Sequence, residues 1–144
     1  MKVTEILRSK GADVITIWPG ASLNSAVERM AKRNVGALVV VDENGNILGM
    51  LSERDIVLAL AVSANRALAG SVADVMSPRL ITCRPDDRLA DLMAVMTENR
   101  VRHLPVVEDG RLLGLVSIGD LVKARLGELE FESSVLRDAY LRVR

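Results

Sequence analysis

Aromatic side chains are nearly absent from this sequence: phenylalanine, tryptophan and tyrosine together make up 2% of its 144 residues. Nineteen basic residues are balanced by nineteen acidic ones, so the net charge is zero. Proteins that bind nucleic acids need a basic surface, and many also use aromatic platforms on which bases stack. The composition therefore argues against nucleic-acid binding, and it requires a core of aliphatic side chains and methionine.

Cysteine and long apolar runs are also scarce. Cys83 is the single cysteine, so no internal disulfide can form, and a reducing compartment is expected. No apolar run reaches the roughly 18–20 residues that a membrane-spanning helix needs, and the N-terminus lacks the apolar region of a signal peptide. The sequence also has no phosphate-binding glycine loop and no cluster of metal ligands. We expect a cytoplasmic protein without a metal site or a catalytic cofactor.

The sequence does contain an internal repeat of one unit that occurs twice. Residues 15–41 match residues 81–107 at a spacing of 66. Asn44 is one extra residue in the first copy, so residues 45–55 match residues 110–120 at a spacing of 65. A long fixed period over most of a chain indicates a duplicated structural unit.

Each copy has the pattern of strand, helix, strand, strand, helix. β-branched runs at 14–17 and 80–83 predict the first strand, and apolar residues at helical spacing follow. Two further strands are joined at Asn44-Gly45 and at Asp109-Gly110, residues that tolerate a positive φ and favour hairpins. We predict an α/β chain of the α+β type with two tandem β-α-β-β-α repeats. The repeats should pack across a pseudo-twofold axis, because one copy is too small to bury enough surface alone.

Segments around the repeated unit complete the predicted architecture. A short amphipathic helix should precede each copy, so that the first repeat spans 3–62 and the second spans 72–126, with an alanine-rich linker at 61–71. Residues 127–144 should form a C-terminal helix with an apolar stripe, which docks either on a second copy or on its own module. The stripe consists of Leu129, Leu136, Ala139, Tyr140 and Val143.

The pattern Ser-x-x-Asp stands at the start of the last helix of each copy, as Ser52 with Asp55 and as Ser117 with Asp120. Before an apolar run this pattern is a capping box, in which the side chains satisfy free helix N–H groups. A carboxylate there can also accept hydrogen bonds from the two vicinal hydroxyls of a ribose, and the helix N-terminus attracts phosphate. Both roles are compatible, because the serine can cap an empty site and face a nucleotide in a filled one.

The tandem order of these motifs resembles a CBS-domain pair, also called a Bateman module. The resemblance rests on the motif V-x-x-L-x-V-V, the D/E-x-G hairpin and the motif L-G-h-h-S-x-x-D, in which h is apolar, and it covers roughly residues 3–126. It implies a non-catalytic regulatory module that binds an adenine nucleotide, such as AMP, ATP or NAD, in the cleft between the copies. It also implies a homodimer that signals energy or redox state to a partner protein.

The resemblance further implies ligand contacts around Asp120. Arg102 and His103 match a basic pair that commonly touches phosphates in the family, although Arg102 could equally be solvated and His103 an interior residue. A phosphate near His103 would favour its charged form, so that binding would weaken as the pH rises. Gly119 leaves room for a phosphate near the backbone, whereas Arg54, its counterpart in the first copy, either reaches a phosphate or lies in solvent.

The adenine is expected on apolar strand edges of the opposite copy, at residues that would serve equally well in the core. For the Asp120 site these are Val14, Ile15, Thr16, Gly36 and Ala37. For the Asp55 site they are Leu80, Ile81, Thr82 and Val101. The alternative to a nucleotide sensor is a ligand-free interaction module. An enzyme is disfavoured, because the candidate nucleophile Cys83 and the candidate base His103 both have simpler interpretations as interior residues.

Overall fold

The computed structural model of the chain describes residues 1–11 and 13–143, and in that part it has six helices and five strands. In chain order these are α1 Val3–Lys10, β1 Thr16–Ile17, α2 Leu23–Arg33, β2 Ala37–Val41, β3 Ile47–Ser52, α3 Glu53–Ala67, α4 Val72–Val75, α5 Leu89–Asn99, β4 His103–Glu108, β5 Arg111–Ser117 and α6 Ile118–Val143. The predicted α+β fold with two tandem copies is confirmed.

The first copy builds a three-stranded sheet in which β2 is the central strand. β2 pairs in parallel with β1 and antiparallel with β3. Residues 37–40 of β2 are buried, as expected of a central strand that is covered by helices. The hairpin between β2 and β3 turns at Gly45, whose φ of 82° suits glycine. Asp42 closes this turn by accepting hydrogen bonds from the backbone amides of Asn44 and Asn46, at 2.9 and 2.8 Å.

The second copy lacks the first strand, and the strand predicted at 80–83 is therefore wrong. Only Cys83 makes an isolated bridge to β4. In the first copy, the backbone amide of Val39 donates a hydrogen bond of 3.1 Å to the carbonyl of Ile15. Pro105 occupies the place of Val39 in the second copy and has no N–H to donate. The parallel ladder consequently stops after one bridge.

Each leader helix packs on the opposite copy. α1 buries Val3 and Ile6 in the core of the second copy, and the amide of Val3 donates to the carbonyl of Asp87 at 3.0 Å. α4 buries Val72 in the core of the first copy, and the amide of Val72 donates to the carbonyl of Ala21 at 2.8 Å. A helix thus precedes each copy, and the exchange of these two leader helices ties the copies together.

Each copy has its own aliphatic core, and aromatic side chains stay outside. Trp18, Phe131 and Tyr140 are each more than half exposed. Cys83 is buried, and burial, followed by the nearby charge of Asp87, raises the pKa of its thiol to about 12. The interpretation of Cys83 as a core residue is thereby confirmed.

The last helix of each copy is longer than the sequence pattern indicated. α3 continues to Ala67, with one kink at Ser63, so much of the predicted linker is helical. Alanine has the highest helix propensity, which explains the extension. α6 runs unbroken through Gly127, so the second-copy helix and the C-terminal helix are one element. The side chain of Val143 and the whole of residue 144 lie outside the described residues.

Across the described residues, no helix is both long enough and apolar enough to cross a lipid bilayer.

Candidate functional site

Both Ser-x-x-Asp motifs form capping boxes. The amide of Ser52 donates to Asp55 Oδ2 at 2.9 Å, and the amide of Asp55 donates to Ser52 Oγ at 3.4 Å. In the second copy, the amide of Ser117 donates to Asp120 Oδ2 at 2.9 Å, and the amide of Asp120 donates to Ser117 Oγ at 3.1 Å. The capping role is therefore confirmed at both helices, and each carboxylate is held at a helix N-terminus.

The two carboxylates differ in their cationic partners. Lys10 Nζ lies 2.6 Å from Asp120 Oδ2 and also donates to the carbonyl of Leu115 at 2.8 Å. In the part of the chain that the structure describes, no ion pair to Asp55 is found. Lys10 was not among the predicted site residues. No signal in the sequence singled it out, because the leader helices match at a spacing of 69, Val3 with Val72, which places the basic Arg79 at the position equivalent to Lys10.

The charge of Asp120 is set by competing effects. Burial by itself would raise its pKa, but the hydrogen bond from Lys10 and the bonds from Ser117 outweigh it. The pKa of Asp120 therefore lies below its usual 3.8. The carboxylate is ionised at neutral pH, which makes it a stronger hydrogen-bond acceptor for sugar hydroxyls.

His103 brings the second copy into contact with the first. A β-carbon built on Gly36 would lie 3.4 Å from His103 Nε2 and 3.6 Å from the carboxyl carbon of Glu53. These are ordinary contact distances, so the imidazole and the Glu53 carboxylate both lie close to the backbone at Gly36, between α2 and β2. Glu53, the first residue of α3, was not among the predicted site residues.

The imidazole of His103 is neutral at pH 7. Burial lowers its pKa below 6.5, and the positive charges of Lys10 and Arg102 act in the same direction. The negative charges of Glu53 and Asp120 oppose this shift without cancelling it. Arg102 itself is exposed, whereas His103, the first residue of β4, is partly buried.

The structure thus brings together residues from both copies and from the leader helix α1. We call this group the inter-copy cleft; it consists of Lys10, Gly36, Glu53, His103 and Asp120. The cleft combines two carboxylates, one ammonium group and one neutral imidazole. Such a set can accept hydrogen bonds from hydroxyls and can also neutralise an anion.

Four of the five residues expected around the adenine of the Asp120 site are divided between two cavities. Residues 14–16 line an open cavity of about 520 Å³ beside α2, where Arg29 Nη1 donates to the carbonyl of Thr16 at 2.6 Å. Gly36 lines a second cavity of about 510 Å³ between α2 and α3. Ala37 is 1% exposed and belongs to the core in this conformation.

The residues named for the Asp55 site lie in a more open region. Leu80 and Thr82 are exposed, whereas Ile81 and Val101 are partly buried and pack against the second-copy core. Arg54 is exposed. Gly119 is exposed as well, and a β-carbon there would make only an ordinary contact with Ser117 Oγ, at 3.6 Å.

Comparison with known protein families shows to which family the chain belongs. The family model described as CBS domain matches residues 3–62 and residues 72–127. The chain belongs to the CBS-domain family. It carries two copies in tandem and is therefore a CBS pair, a regulatory module. Among the described residues, no group of three or more side chains has the composition of a metal site.

Individual relatives agree with this assignment. The mitochondrial CBS domain-containing protein CBSX3 of Arabidopsis thaliana is 36% identical over 148 residues, which cover 97% of this chain and 71% of the relative. The crystal structure of the CBS-domain containing protein ATU1752 from Agrobacterium tumefaciens superposes with a TM-score of 0.84. That protein is 41% identical, and the match covers 86% of this chain and 92% of the other.

One structural relative was solved with ligands. The CBS domain pair of protein MJ0100 is 27% identical, with a TM-score of 0.79 over 89% of this chain and 98% of that chain. It was crystallised in complex with 5′-methylthioadenosine and S-adenosyl-L-methionine. Both of its ligands contain an adenosine moiety, so a CBS pair of this fold can accommodate an adenine and a ribose.

Proposed function

We propose that this CBS pair is a cytoplasmic sensor that binds an adenine nucleotide in the inter-copy cleft, with Asp120 as the ribose anchor. One observation carries the proposal: an ionised, partly buried carboxylate at a helix N-terminus shares a cleft with a histidine and a lysine. Asp120 is the stronger of the two candidate anchors, because Lys10 accompanies it and no cation accompanies Asp55 among the described residues.

Three residues of the cleft have separate tasks in this proposal. Asp120 accepts hydrogen bonds from the vicinal hydroxyls, and charge-assisted bonds of this kind contribute about 1.5–3 kcal/mol each. Lys10 holds the carboxylate in the empty state, and its flexible side chain can turn to a phosphate when a nucleotide enters. His103 stands beside Gly36, where it can donate to a phosphate once protonated. AMP, ATP and NAD are the proposed ligands.

The structure also suggests how binding would be communicated. The cleft takes residues from both copies, so a bound nucleotide would favour one relative arrangement of the copies over others. The exchanged leader helices α1 and α4 would pass that preference between the copies. A homodimer of the pair would present the resulting surface to the regulated partner protein. No catalytic step is assigned to any residue of the cleft.

Thermal unfolding with added nucleotide tests the proposal. Millimolar AMP, ATP or NAD should raise the melting temperature, because a ligand present at 100 times its dissociation constant stabilises the folded state by about 2.7 kcal/mol. Asp120→Asn should remove most of this rise. Asp55→Asn is the matched control, because it alters the equivalent capping box in the other copy and should retain the rise. An Asp120→Asn protein that keeps the full rise contradicts the ribose role.

The same assay identifies the ligand class. Lys10→Met should weaken the effect of AMP and ATP, but it should spare S-adenosyl-L-methionine, which has no phosphate. If no adenine compound raises the melting temperature while the protein still forms a defined oligomer, the chain is instead a ligand-free interaction module.

A further inference from the structure

The C-terminal half of α6 extends beyond the body of the protein. Leu121 is fully buried, and Glu128 still contacts the body through the N-terminal amino group at 3.6 Å. Residues 129–142, in contrast, are all exposed. At 1.5 Å per residue, this segment extends the helix by about 21 Å. Isolated helices of this length are marginally stable in water, so the segment gains from a packing partner.

The exposed segment has a heptad pattern. Starting at Leu126, the positions recur at alternating spacings of three and four residues: Leu126, Leu129, Ser133, Leu136 and Tyr140. Exposed fractions of the four large side chains lie between 45% and 70%. Leucine at d, here Leu129 and Leu136, is typical of two-stranded coiled coils. We call this row the heptad seam.

Charges beside the heptad seam distinguish between the possible helix orientations. With Leu126 at position a, Arg125 and Glu132 occupy g positions, and Glu130 and Arg137 occupy e positions. In a parallel, in-register pair, each g residue faces the e residue five positions later on the partner helix. Arg125 then faces Glu130 of the partner subunit, and Glu132 faces Arg137 of the partner subunit. Both contacts join opposite charges, and symmetry doubles them.

An antiparallel pair satisfies fewer charges. In that orientation e residues face e residues and g residues face g residues. With the seams fully overlapped, only Glu130 and Arg137 of the partner subunit attract each other, whereas Glu132 has no basic residue opposite it. The seam also has a single polar residue, Ser133 at an a position, and one polar a position favours a defined register at some cost in stability.

We propose that residues 126–142 form a parallel, in-register, two-stranded coiled coil with a second copy of this chain. This inference builds on the homodimer of the proposed function and is independent of nucleotide binding. The apolar seam supplies the buried surface, and the two g-to-e pairs select the orientation. Residues on the outer side of the helix, such as Phe131 at position f, take no part.

A matched pair of variants tests the seam by sedimentation equilibrium of the full chain. Leu136 and Phe131 are both 70% exposed, so neither Leu136→Glu nor Phe131→Glu should disturb the fold of the monomer. Leu136→Glu, which puts two facing charges into the seam, should weaken dimerisation by about 100-fold or more. Phe131→Glu should leave it unchanged. A monomeric wild-type protein at about 100 μM, or a dimer that is insensitive to Leu136→Glu, overturns the proposal.

A cross-linking variant tests the orientation. Tyr140→Cys should form an intermolecular disulfide under mild oxidation, because an in-register parallel pair places the two copies of residue 140 opposite each other, whereas an overlapped antiparallel pair places residue 140 near Leu126 of the partner subunit. The native Cys83 is 4% exposed with a thiol pKa of about 12, so it should not compete. A dimer that does not cross-link contradicts the parallel register.

Charge reversal provides a second readout of the same register. Glu132→Arg and Arg137→Glu should each weaken the dimer, and the two combined should restore it. A combined variant as weak as the single ones overturns the g-to-e pairing. Nucleotide-induced stabilisation of Leu136→Glu is measured in parallel. This rise in melting temperature depends on the inter-copy cleft and not on the coiled coil. A failure of the coiled-coil proposal can therefore be distinguished from a failure of the nucleotide-binding proposal.

Discussion

The Lys10–Asp120 ion pair is the contact that most clearly separates the two capping boxes, and a double-mutant cycle measures its strength. The cycle combines Lys10→Met with Asp120→Asn. Methionine is the appropriate replacement, because its side chain is unbranched and flexible like that of lysine but carries no charge. A second cycle, between Lys10→Met and Asp55→Asn, is the control, since Asp55 sits in the same kind of capping box.

The magnitude follows from the distance and exposure of the pair. Lys10 Nζ and Asp120 Oδ2 are 2.6 Å apart, and the side chains are 35% and 23% exposed. Fully exposed pairs contribute about 0.2–1 kcal/mol, whereas breaking a buried pair costs about 3–5 kcal/mol. Because solvent still reaches Lys10 and screens the pair, we expect a coupling free energy of about 1–2 kcal/mol. Each kcal/mol corresponds to a change of about 2–4 °C in melting temperature for a chain of this size.

Urea denaturation at neutral pH is the assay. The free energies of unfolding of the wild type, both single variants and the double variant give the coupling directly. The control cycle with Asp55 should show additivity within about 0.3–0.5 kcal/mol. A Lys10–Asp120 coupling free energy no larger than that of the control cycle would refute the reasoning. It would mean that the ion pair does not stabilise the folded protein.

The pH dependence gives a further check with a definite sign. The pKa of Asp120 is lowered in the folded protein, so its contribution is fully present above the ordinary value of 3.8 and is lost as the pH falls through the lowered value. The coupling should therefore be constant between about pH 7 and pH 5. A coupling that already declines in that range would assign the effect to another group.

Two further predictions concern packing and protonation elsewhere in the fold. Gly49→Ala should destabilise the protein by about 1–3 kcal/mol in urea denaturation, because a β-carbon there would clash with the carbonyl oxygen of Ser77. Gly127→Ala lies on an exposed helix with open space around it, so it should stabilise the protein by about 0.5–1 kcal/mol. If Gly49→Ala and Gly127→Ala changed the free energy of unfolding in the same direction, this account would be contradicted. Burial lowers the pKa of His103, so the unfolded chain binds more protons below about pH 6.5 and stability should fall on acidification. His103→Gln should reduce the dependence of the melting temperature on pH between pH 5 and 7. An unchanged dependence would mean that another group causes it.

Local patterns predicted the elements well where a single neighbourhood decides the structure. The hairpins at Gly45 and Gly110 follow from residues that adopt a positive φ, and both glycines do so. The failure at 80–83, in contrast, was not local in origin. Pro105 stands on the neighbouring strand, and the consequence of its missing N–H becomes clear only once the pairing of the two segments is known.

The candidate site was predicted in part, for a different reason. Asp55 and Asp120 follow from a motif within four residues, and both cap their helices as expected. Lys10 was missed, since it lies 110 residues from its partner Asp120. Glu53 was missed because a solvated acidic residue in a first helical turn has an ordinary explanation as a helix-dipole partner.

The sequence by itself determined the duplication, the order of strands and helices in the first copy and the acidic cap at each last helix. All of these depend on short-range periodicity or on comparison of the chain with itself. Only the tertiary structure decided that the leader helices exchange between the copies, that Lys10 pairs with Asp120 and not with Asp55, and that His103 lies against Gly36. These contacts join residues far apart in the chain, and their partners are selected by how the two aliphatic cores pack rather than by any local preference.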